Sequence, residues 1–352
     1  MPEQTSYHRQ EDLNNTKKLR EMTADLPPYV RDFFRGIESQ TSSRTRIAYA
    51  YDLRIFFNYL HENNSEFGKK ALKEISLSDL EQLRPIDIEE YLDYVKIYSS
   101  KNGQENSNGV TAIKRKLASL RSFYKYFYMR EFITYNPVEL VAMPKLHEKN
   151  IVRLDADEVA ELLDHVESGQ QLTKKQQDFH EKTKVRDLAI MTLLLGTGIR
   201  VSECVGLNLN DVDFKNSGIS IYRKGGKESV VYFGDEVEEA LLSYLEERKS
   251  VIPCDGHENA LFLSSQKKRI NVRTVENLVK KYTRTVTTSK NITPHKLRST
   301  YGTSLYRETG DIYLVADVLG HSDVNTTRKH YAALEDEKRR SARDKVHLRR
   351  DD

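Results

Sequence analysis

The chain of 352 residues has only two cysteines, 16 glycines and 8 prolines, and it has no tryptophan. Two cysteines are too few for a disulfide framework, and so little glycine and proline argues against a fibrous or linker-rich protein. The longest apolar stretches, such as Leu188–Leu195, are far shorter than the ~20 residues of a membrane span. The polar N-terminus also lacks the apolar segment of a secretory signal. These absences predict a cytoplasmic protein with no membrane partner.

An excess of charge of one sign is also missing. The sequence has 56 Lys and Arg against 53 Asp and Glu, a formal net charge of +3. Such a balance does not by itself predict a nucleic-acid partner, because what matters is where the cations cluster.

Common cofactor and metal motifs are absent as well. The sequence contains no Walker A loop, no G-x-G-x-x-G after a strand, no H-E-x-x-H and no C-x-x-C. It therefore predicts no nucleotide or other cofactor and no metal.

The length predicts two domains, since ~150 residues per domain is typical. Apolar residues recur at helical spacing over residues 25–135, clearly so in Arg44–Glu62 and Val110–Phe132. The second half mixes helices with two alternating stretches, Ile219–Tyr222 and Ser229–Phe233, around a turn signal. This pattern predicts a mainly α protein with a small antiparallel β-sheet in its second half.

Asn136-Pro137 and Met143-Pro144 interrupt the helical pattern before a polar stretch, which indicates a domain boundary. We predict a flexible N-terminal lead over 1–24, with a short helix there as the alternative. A helical domain over 25–140, a linker over 141–150 and a mixed α+β domain with a C-terminal tail over 151–352 are predicted to follow.

Six side chains in the second half carry groups suited to cleaving a phosphodiester. They are Arg200, Lys224, His295, Arg298, His321 and Tyr331. Guanidiniums bind phosphate through paired hydrogen bonds and hold developing charge, histidine and lysine move protons, and nearby cations activate a tyrosine hydroxyl. Taken singly, each residue also fits an ordinary role: a surface arginine, a turn lysine, a helix-cap histidine or a packing tyrosine.

The motifs around these residues resemble those of the tyrosine recombinase/integrase family, and within it the Xer-like recombinases. They are LGTGIRVSE at 195–203, RKGGKE at 223–228, TPHKLR at 293–298 and LGHSDVNTT at 319–327, followed by Tyr331. The motifs occur in the family's order and cover about 150–335. The helical half is similar to the family's core-binding, SAM-like domain.

The resemblance implies roles for these residues. Arg200 and Arg298 would hold the scissile phosphate, and His321 would hydrogen-bond it. Lys224 would protonate the leaving 5′-hydroxyl and His295 would assist proton transfer.

The resemblance also implies the nucleophile: Tyr331 would attack to give a 3′-phosphotyrosine. Glu203, one helical turn after Arg200, would orient that arginine. The interval from His321 to Tyr331 is one residue longer than in many relatives. No other tyrosine follows Tyr313, and we interpret the adjacent His330 as incidental.

The family likeness further implies a helical core-binding domain and a catalytic domain that form a clamp around double-stranded DNA. It implies a tetramer on two DNA sites, either of this chain alone or with a second recombinase, with a Holliday-junction intermediate and possible regulation by another protein. The C-terminal tail would either pass between neighbouring protomers or remain a disordered basic tail. Arg44, Arg46, Lys114, Arg121 and Lys125 lie in the helical half beside apolar faces and are candidates for phosphate contacts, or alternatively solvated helix faces.

Within this family, resolution of chromosome dimers and integration or excision of a mobile element are both open. The helical domain begins near residue 25, which leaves no room for a further N-terminal DNA-binding domain and favours the Xer-like layout. Two functions of other classes are a type IB topoisomerase, which shares this chemistry, and a DNA-binding regulator with a dead site.

Overall fold

The computed structural model describes residues 7–99, 103, 105–146, 152–223, 228–321 and 324. Contacts divide the chain into two compact units, Met1–Lys149 and Asn150–Asp352. Each unit is described by itself below, and the expected clamp arrangement stays a prediction. No helix in the described ranges is long and apolar enough to cross a membrane.

The first unit is built on helices that pack around aromatic side chains. Its helices are α1 (Tyr7–Met22), α2 (Pro28–Gly36), α3 (Ser43–Asn63), α4 (Leu77–Glu81), α5 (Pro85–Tyr94) and α6 (Val110–Tyr128). Phe33, Phe57, Phe123 and Phe127 are at most 2% exposed, and the rings of Phe33 and Phe123 meet edge to face at 5.2 Å. These residues repeat at helical spacing in the sequence, so the hydrophobic periodicity predicted this core.

Two short strands interrupt the otherwise helical first unit. The strands β1 (Ile97–Ser99) and β2 (Glu105–Ser107) pair antiparallel, with Tyr98 opposite Asn106. The expectation of an all-helical stretch over 25–135 is therefore wrong at this point. The strands are three residues long with half-exposed centres, so they carry no hydrophobic alternation that the sequence could reveal.

In the N-terminal lead the structure shows the helical alternative, because Tyr7–Met22 form α1 and pack on α3. The Ser43 hydroxyl donates to Asp12 Oδ1 at 2.6 Å and accepts from Asn15 Nδ2 at 3.0 Å. Glu11 forms an ion pair with Arg44. Because these contacts between α1 and the start of α3 are polar, apolar periodicity in the sequence did not predict this helix.

The second unit surrounds one apolar helix. Its helices are α7 (Ala156–Ser168), α8 (Lys174–His180), α9 (Lys184–Thr197), α10 (Val201–Gly206), α11 (Asp235–Lys249), α12 (Val272–Val286), α13 (Pro294–Thr309) and α14 (Ile312–Leu319). Helix α9 contacts α7, α11 and α13, and Ile190, Met191 and Leu193 are fully buried. Between residues 188 and 195 this helix is apolar apart from Thr192, and so apolar a segment is stable only inside a core, which explains the central position of α9.

A small antiparallel sheet lies in the second unit, as the sequence predicted. Its strands β3 (Val212–Asp213), β4 (Gly218–Tyr222) and β5 (Glu228–Tyr232) are ordered β3-β4-β5. In the register of β4 and β5, Ile219 faces Val231 and Tyr222 faces Glu228. Residue 223 therefore leaves the sheet at the hairpin end, and residues 224–227 lie outside the described residues.

Candidate active site

The C-terminal end of α14 is where the predicted site begins. Gly320 follows the helix with φ of 60° and donates its N–H to Asp317 O at 2.8 Å. The His321 N–H donates to Ala316 O at 2.9 Å. Together these bonds form a Schellman-type cap, for which glycine is the favoured residue at positive φ. The cap fixes the backbone of His321, whose side chain is half-buried.

Arg298 joins two of the predicted motifs from the middle of α13. Its side chain is buried, with 5% of the residue exposed. One terminal nitrogen donates to Gly198 O at 2.5 Å, and the other donates to Leu319 O. Gly198 ends α9 with φ of 63°, and a Cβ there would lie 2.4 Å from the ring of Tyr301. The glycine of the LGTGIR motif therefore allows α9 to end against α13, beside Arg298.

Arg200, the N-cap residue of α10, also binds a backbone carbonyl that follows α14. Its Nη1 lies 2.7 Å from Glu203 Oε1, and its Nη2 donates to Gly320 O at 3.3 Å. Its backbone N–H donates to the other oxygen of Glu203 at 2.7 Å. Glu203 is 4% exposed in its side chain and Arg200 is 38% exposed. The buried carboxylate of Glu203 thus holds the half-exposed guanidinium of Arg200 in one direction, and the role of Glu203 in the reaction stays a prediction.

A third arginine, Arg223, also binds carbonyls at the end of α14. In the sequence it was visible only as part of a turn signal. Arg223 follows β4 and donates from Nη1 to Asp317 O at 3.1 Å and from Nη2 to Val318 O at 2.7 Å. With the contacts of Arg298 and Arg200, each of the four carbonyls from 317 to 320 accepts from a guanidinium. Carbonyls at a helix C-terminus lack partners within the helix and carry partial negative charge, so they attract cations. We call this group of side chains, Arg200, Arg223 and Arg298, the arginine cluster.

His295 lies one helical turn before Arg298, in the first turn of α13. Its side chain is exposed, and its carbonyl accepts a hydrogen bond from Ser299 Oγ at 3.1 Å. Pro294 occupies the start of the helix, where its missing N–H costs nothing. The sequence T-P-H thus sets a helix start that carries His295 on the same helix as Arg298.

The predicted Lys224 and Tyr331 lie outside the described residues, as do His330 and the C-terminal tail. Their roles stay predictions. In the ranges that the structure describes, no group of His, Cys, Asp and Glu side chains is arranged to hold a metal ion.

The structure separates the two arginines predicted for DNA contact at the start of α3. Arg44 is exposed and pairs with Glu11. Arg46 is 7% exposed, and its Nη1 donates to Glu38 O and Thr41 O, both at 2.9 Å. These donors hold the turn before α3, which disfavours the phosphate contact predicted for Arg46.

Helix α6 carries three of the basic residues predicted to contact DNA, Lys114, Arg121 and Lys125, which we call the α6 stripe. Lys125 is exposed and Lys114 is half-buried. Arg121 lies between them and donates to Val141 O at 2.5 Å. Since residues eleven apart return to the same side of an α-helix, Lys114 and Lys125 face one direction.

Comparison with known proteins follows the same division of the chain. Residues 152–338 match the phage integrase family, and residues 30–131 match the N-terminal SAM-like domain of phage integrases. The tyrosine recombinase XerC of Caldanaerobacter subterraneus subsp. tengcongensis is 35% identical over 90% of this chain and 86% of its own length. The tyrosine recombinase XerS of Streptococcus uberis is 32% identical over 94% of this chain and 98% of its own length.

Solved structures share the fold. The XerH site-specific recombinase in a post-cleavage complex with its difH substrate matches with a TM-score of 0.67 at 17% identity, over 94% of this chain and 89% of that chain. The lambda integrase dimer bound to a core site matches with a TM-score of 0.58 at 16% identity, over 85% of this chain and 95% of that chain. The predicted mainly helical fold with small antiparallel sheets is confirmed. With both domains matched and Xer relatives aligned over most of its length, this chain belongs to the phage integrase family of tyrosine recombinases and is an Xer-like site-specific recombinase, an enzyme that cleaves and rejoins DNA.

Proposed function

We propose that this recombinase acts on double-stranded DNA to resolve chromosome dimers, in the cytoplasm and in support of chromosome partition at cell division. The XerC and XerS relatives align over 90% and 94% of this chain, and XerS aligns over 98% of its own length. Sequence identity of 35% and 32% to these Xer recombinases favours the same class of task over integration of a mobile element.

The observation that carries the catalytic proposal is that Arg298 and Arg200 bind adjacent carbonyls, Leu319 O and Gly320 O. Their guanidiniums are thereby neighbours, and His321 is the next residue of the chain. Two arginines side by side can bind one phosphate and stabilise the charge that builds on its oxygens during displacement. Arg200, Arg298 and His321 accordingly hold the scissile phosphate, and Glu203 orients Arg200.

The cleavage step conserves the energy of the broken bond. Tyr331 Oη attacks phosphorus and forms a 3′-phosphotyrosine, while its proton passes to His295. The bond from phosphorus to O5′ breaks, and O5′ takes a proton from Lys224 Nζ. Nearby cations favour the tyrosinate, which makes the hydroxyl a competent nucleophile. The reverse reaction on a new 5′-hydroxyl rejoins the strand.

Recombination needs four such steps on two duplexes. We infer a tetramer of this chain, or of this chain with a second recombinase, that passes through a Holliday junction and is open to control by a regulatory protein. The tail after Tyr331 has a helical pattern with apolar Leu334, Val346 and Leu348, and we infer that it links neighbouring protomers. We infer that Lys114, Lys125 and Arg44 add contacts to phosphates outside the site, because Arg121 and Arg46 donate to backbone carbonyls.

A suicide substrate tests the catalytic proposal. A binding site is first selected from a random duplex library with the Tyr331→Phe variant, and duplexes of that site are then nicked at successive positions. With a 5′ label on the cleaved strand, the wild-type chain should give a covalent adduct on a denaturing gel, because the label stays with the 3′-phosphotyrosine. Tyr331→Phe should bind and give no adduct.

Tyr313 provides the matched control, since it is the tyrosine before Tyr331 in sequence and is 71% exposed. Tyr313→Phe should form the adduct at the wild-type rate. An adduct from Tyr331→Phe, or its loss in Tyr313→Phe, contradicts the choice of nucleophile. Strand exchange between two sites separates recombination from topoisomerase-like relaxation of one duplex.

A further inference from the structure

Arg223 connects two parts of the proposed site that are distant in sequence. It follows directly after β4, at the end of the hairpin, and the residue after it is Lys224. Its two terminal nitrogens donate to Asp317 O at 3.1 Å and Val318 O at 2.7 Å, in the last turn of α14. The hairpin strand is therefore tied to the same helix end at which Arg200 and Arg298 meet.

The local structure makes room for this contact. A Cβ built on Gly320 would lie 1.8 Å from Arg223 Nη1 and 2.4 Å from Arg223 Cζ. Any other residue at 320 would displace the guanidinium, and it would also be strained by the φ of 60°. Arg223 Nε is buried and has no hydrogen-bond partner among the described residues. The guanidinium of Arg223 thus lies against the end of the helix, and both of its terminal nitrogens donate to carbonyls of α14.

We propose that Arg223 is a positioning residue for strand cleavage, which anchors the hairpin to the C-terminal end of α14 and so sets Lys224 relative to the phosphate held by Arg200 and Arg298. The proposal deepens the proposed function and rests on it. Arg223 would act on Lys224 through the backbone, because the two residues are adjacent and fixing residue 223 fixes the point from which the lysine begins. A catalytic group that is misplaced by about 1 Å can lose on the order of 100-fold in rate.

The chemistry of the leaving group allows the proposal to be tested. With the natural substrate, O5′ leaves only as it takes a proton from Lys224 Nζ, because an alkoxide is a poor leaving group. With sulfur in place of O5′, the bond from phosphorus to sulfur breaks to give a thiolate, whose thiol has a pKa near ~8.5 and which needs no proton. A defect confined to protonation is therefore repaired by the sulfur substrate, whereas a defect in phosphate binding or in folding is not.

The experiment compares single-turnover rates of adduct formation on oxygen and sulfur suicide substrates for the full chain. Lys224→Ala should be slower by ~100-fold or more on oxygen, as expected for loss of a general acid, and near the wild-type rate on sulfur. Arg223→Ala should fall by roughly 10- to 100-fold on oxygen and recover to within about threefold of wild type on sulfur. Arg223→Lys keeps a cation near the two carbonyls but loses the fork, so its rate on oxygen should lie between those of Arg223→Ala and wild type.

Arg248 supplies the matched control. It is 7% exposed and, like Arg223, it binds backbone carbonyls, here Glu258 O and Ala260 O. Whatever Arg248→Ala loses in stability, its ratio of oxygen to sulfur rates should equal that of wild type. If Arg223→Ala is slowed equally on both substrates, or is slowed on neither, the positioning role of Arg223 is overturned. Melting curves identify an unfolded variant, in which case Arg223→Lys decides by the same ratio.

Failure of the proposed function gives a different result. If wild type forms no adduct with either substrate, the catalytic proposal itself fails. If Lys224→Ala is not restored by sulfur, Lys224 is not the general acid, and the role inferred for Arg223 falls with it.

Discussion

At the scale of single residues, neighbours rather than residue type decide what an arginine does. Arg46 and Arg200 both lie near the start of a helix, yet Arg46 is buried and binds carbonyls of the turn before α3, whereas Arg200 is half-exposed beside Glu203. Arg298 was recognisable from its motif, but its burial against Gly198 O and Leu319 O was not. Arg223 had no signal of its own beyond its place before Lys224. Some of these contacts are local, as for Arg46, but those of Arg298 with Gly198 O and of Arg223 with Asp317 O join residues far apart in the sequence, which no local pattern records.

The buried carboxylate of Glu203 should matter for rate more than for DNA affinity. Glu203→Gln keeps the shape but loses the charge that holds Arg200 Nη1 at 2.7 Å. A hydrogen bond between charged groups contributes ~1.5–3 kcal/mol, so cleavage of a suicide substrate should slow by roughly 10- to 100-fold. Single-turnover adduct formation at saturating protein measures the effect.

Glu158 is a suitable control for this variant. It holds the same capping position on α7, accepting from the Asp155 N–H at 2.7 Å, and it pairs with Lys290 at 2.6 Å. Glu158→Gln should leave cleavage unchanged. Equal slowing of the two variants would mean that Glu203 acts only through stability.

At the scale of elements, long amphipathic helices followed from the sequence, and short or polar elements did not. Helix α14, for example, is an apolar run that lies between Asp311 and Gly320. Helix α8 is short and mostly polar, so it has no apolar periodicity that would predict it. It carries His180 into a buried polar network with Tyr282 and Asp187, in which His180 Nδ1 and Tyr282 Oη are 2.9 Å apart and Tyr282 Oη donates to Asp187 Oδ2 at 3.1 Å. A network between helices leaves no periodic trace in any one of them.

This network should make the stability of the second unit depend on pH. Burial, together with the nearby Lys281 ammonium, lowers the pKa of His180 in the folded chain, whereas the unfolded chain has an ordinary histidine pKa near ~6.5. The unfolded state therefore binds more protons below pH ~6.5, so this contribution to the free energy of unfolding is complete above that pH and is lost as the pH falls. Urea titrations of the full chain between pH ~7.5 and ~5 should show this loss, and His180→Asn should reduce its slope.

The exposed His61 offers the comparison. His61→Asn should keep the wild-type dependence on pH. An unchanged slope in His180→Asn would show that the acid-sensitive group lies elsewhere.

At the scale of the whole molecule, a net charge of +3 conceals an uneven distribution of acidic and basic side chains. Acidic residues such as Glu236, Glu239 and Glu246 lie exposed on α11, while the arginine cluster is drawn together at one helix end. If the arginine cluster holds one phosphate as proposed, a near-neutral chain still needs weaker contacts to the rest of the duplex. We expect such contacts from Lys114 and Lys125, because Arg46 donates to backbone carbonyls instead.

The dependence of DNA affinity on salt should count these contacts. Each phosphate contact contributes about −0.9 to the slope of log K against log salt concentration. Lys114→Gln and Lys125→Gln should each reduce the size of the slope by about one, with similar losses on specific and random duplexes. Fluorescence anisotropy over a series of KCl concentrations gives the slope.

Lys249 is the natural control, being exposed on α11 and paired with Glu246. Lys249→Gln should leave the slope unchanged. If Lys114→Gln and Lys125→Gln also leave it unchanged, the α6 stripe is a solvated face, as the alternative interpretation held.

The sequence alone determined the elements with strong periodicity, the mainly helical class and the motifs that identify the family, because these depend on residue types at fixed local spacing. It also indicated the glycines at 198 and 320, although not what approaches them. Only the tertiary structure decided that Arg200, Arg223 and Arg298 share one row of carbonyls from 317 to 320, and that Arg46 is buried. The physical reason is that the carbonyls at a helix end accept from whichever donors packing brings to them, and that packing is set by contacts between elements distant along the chain.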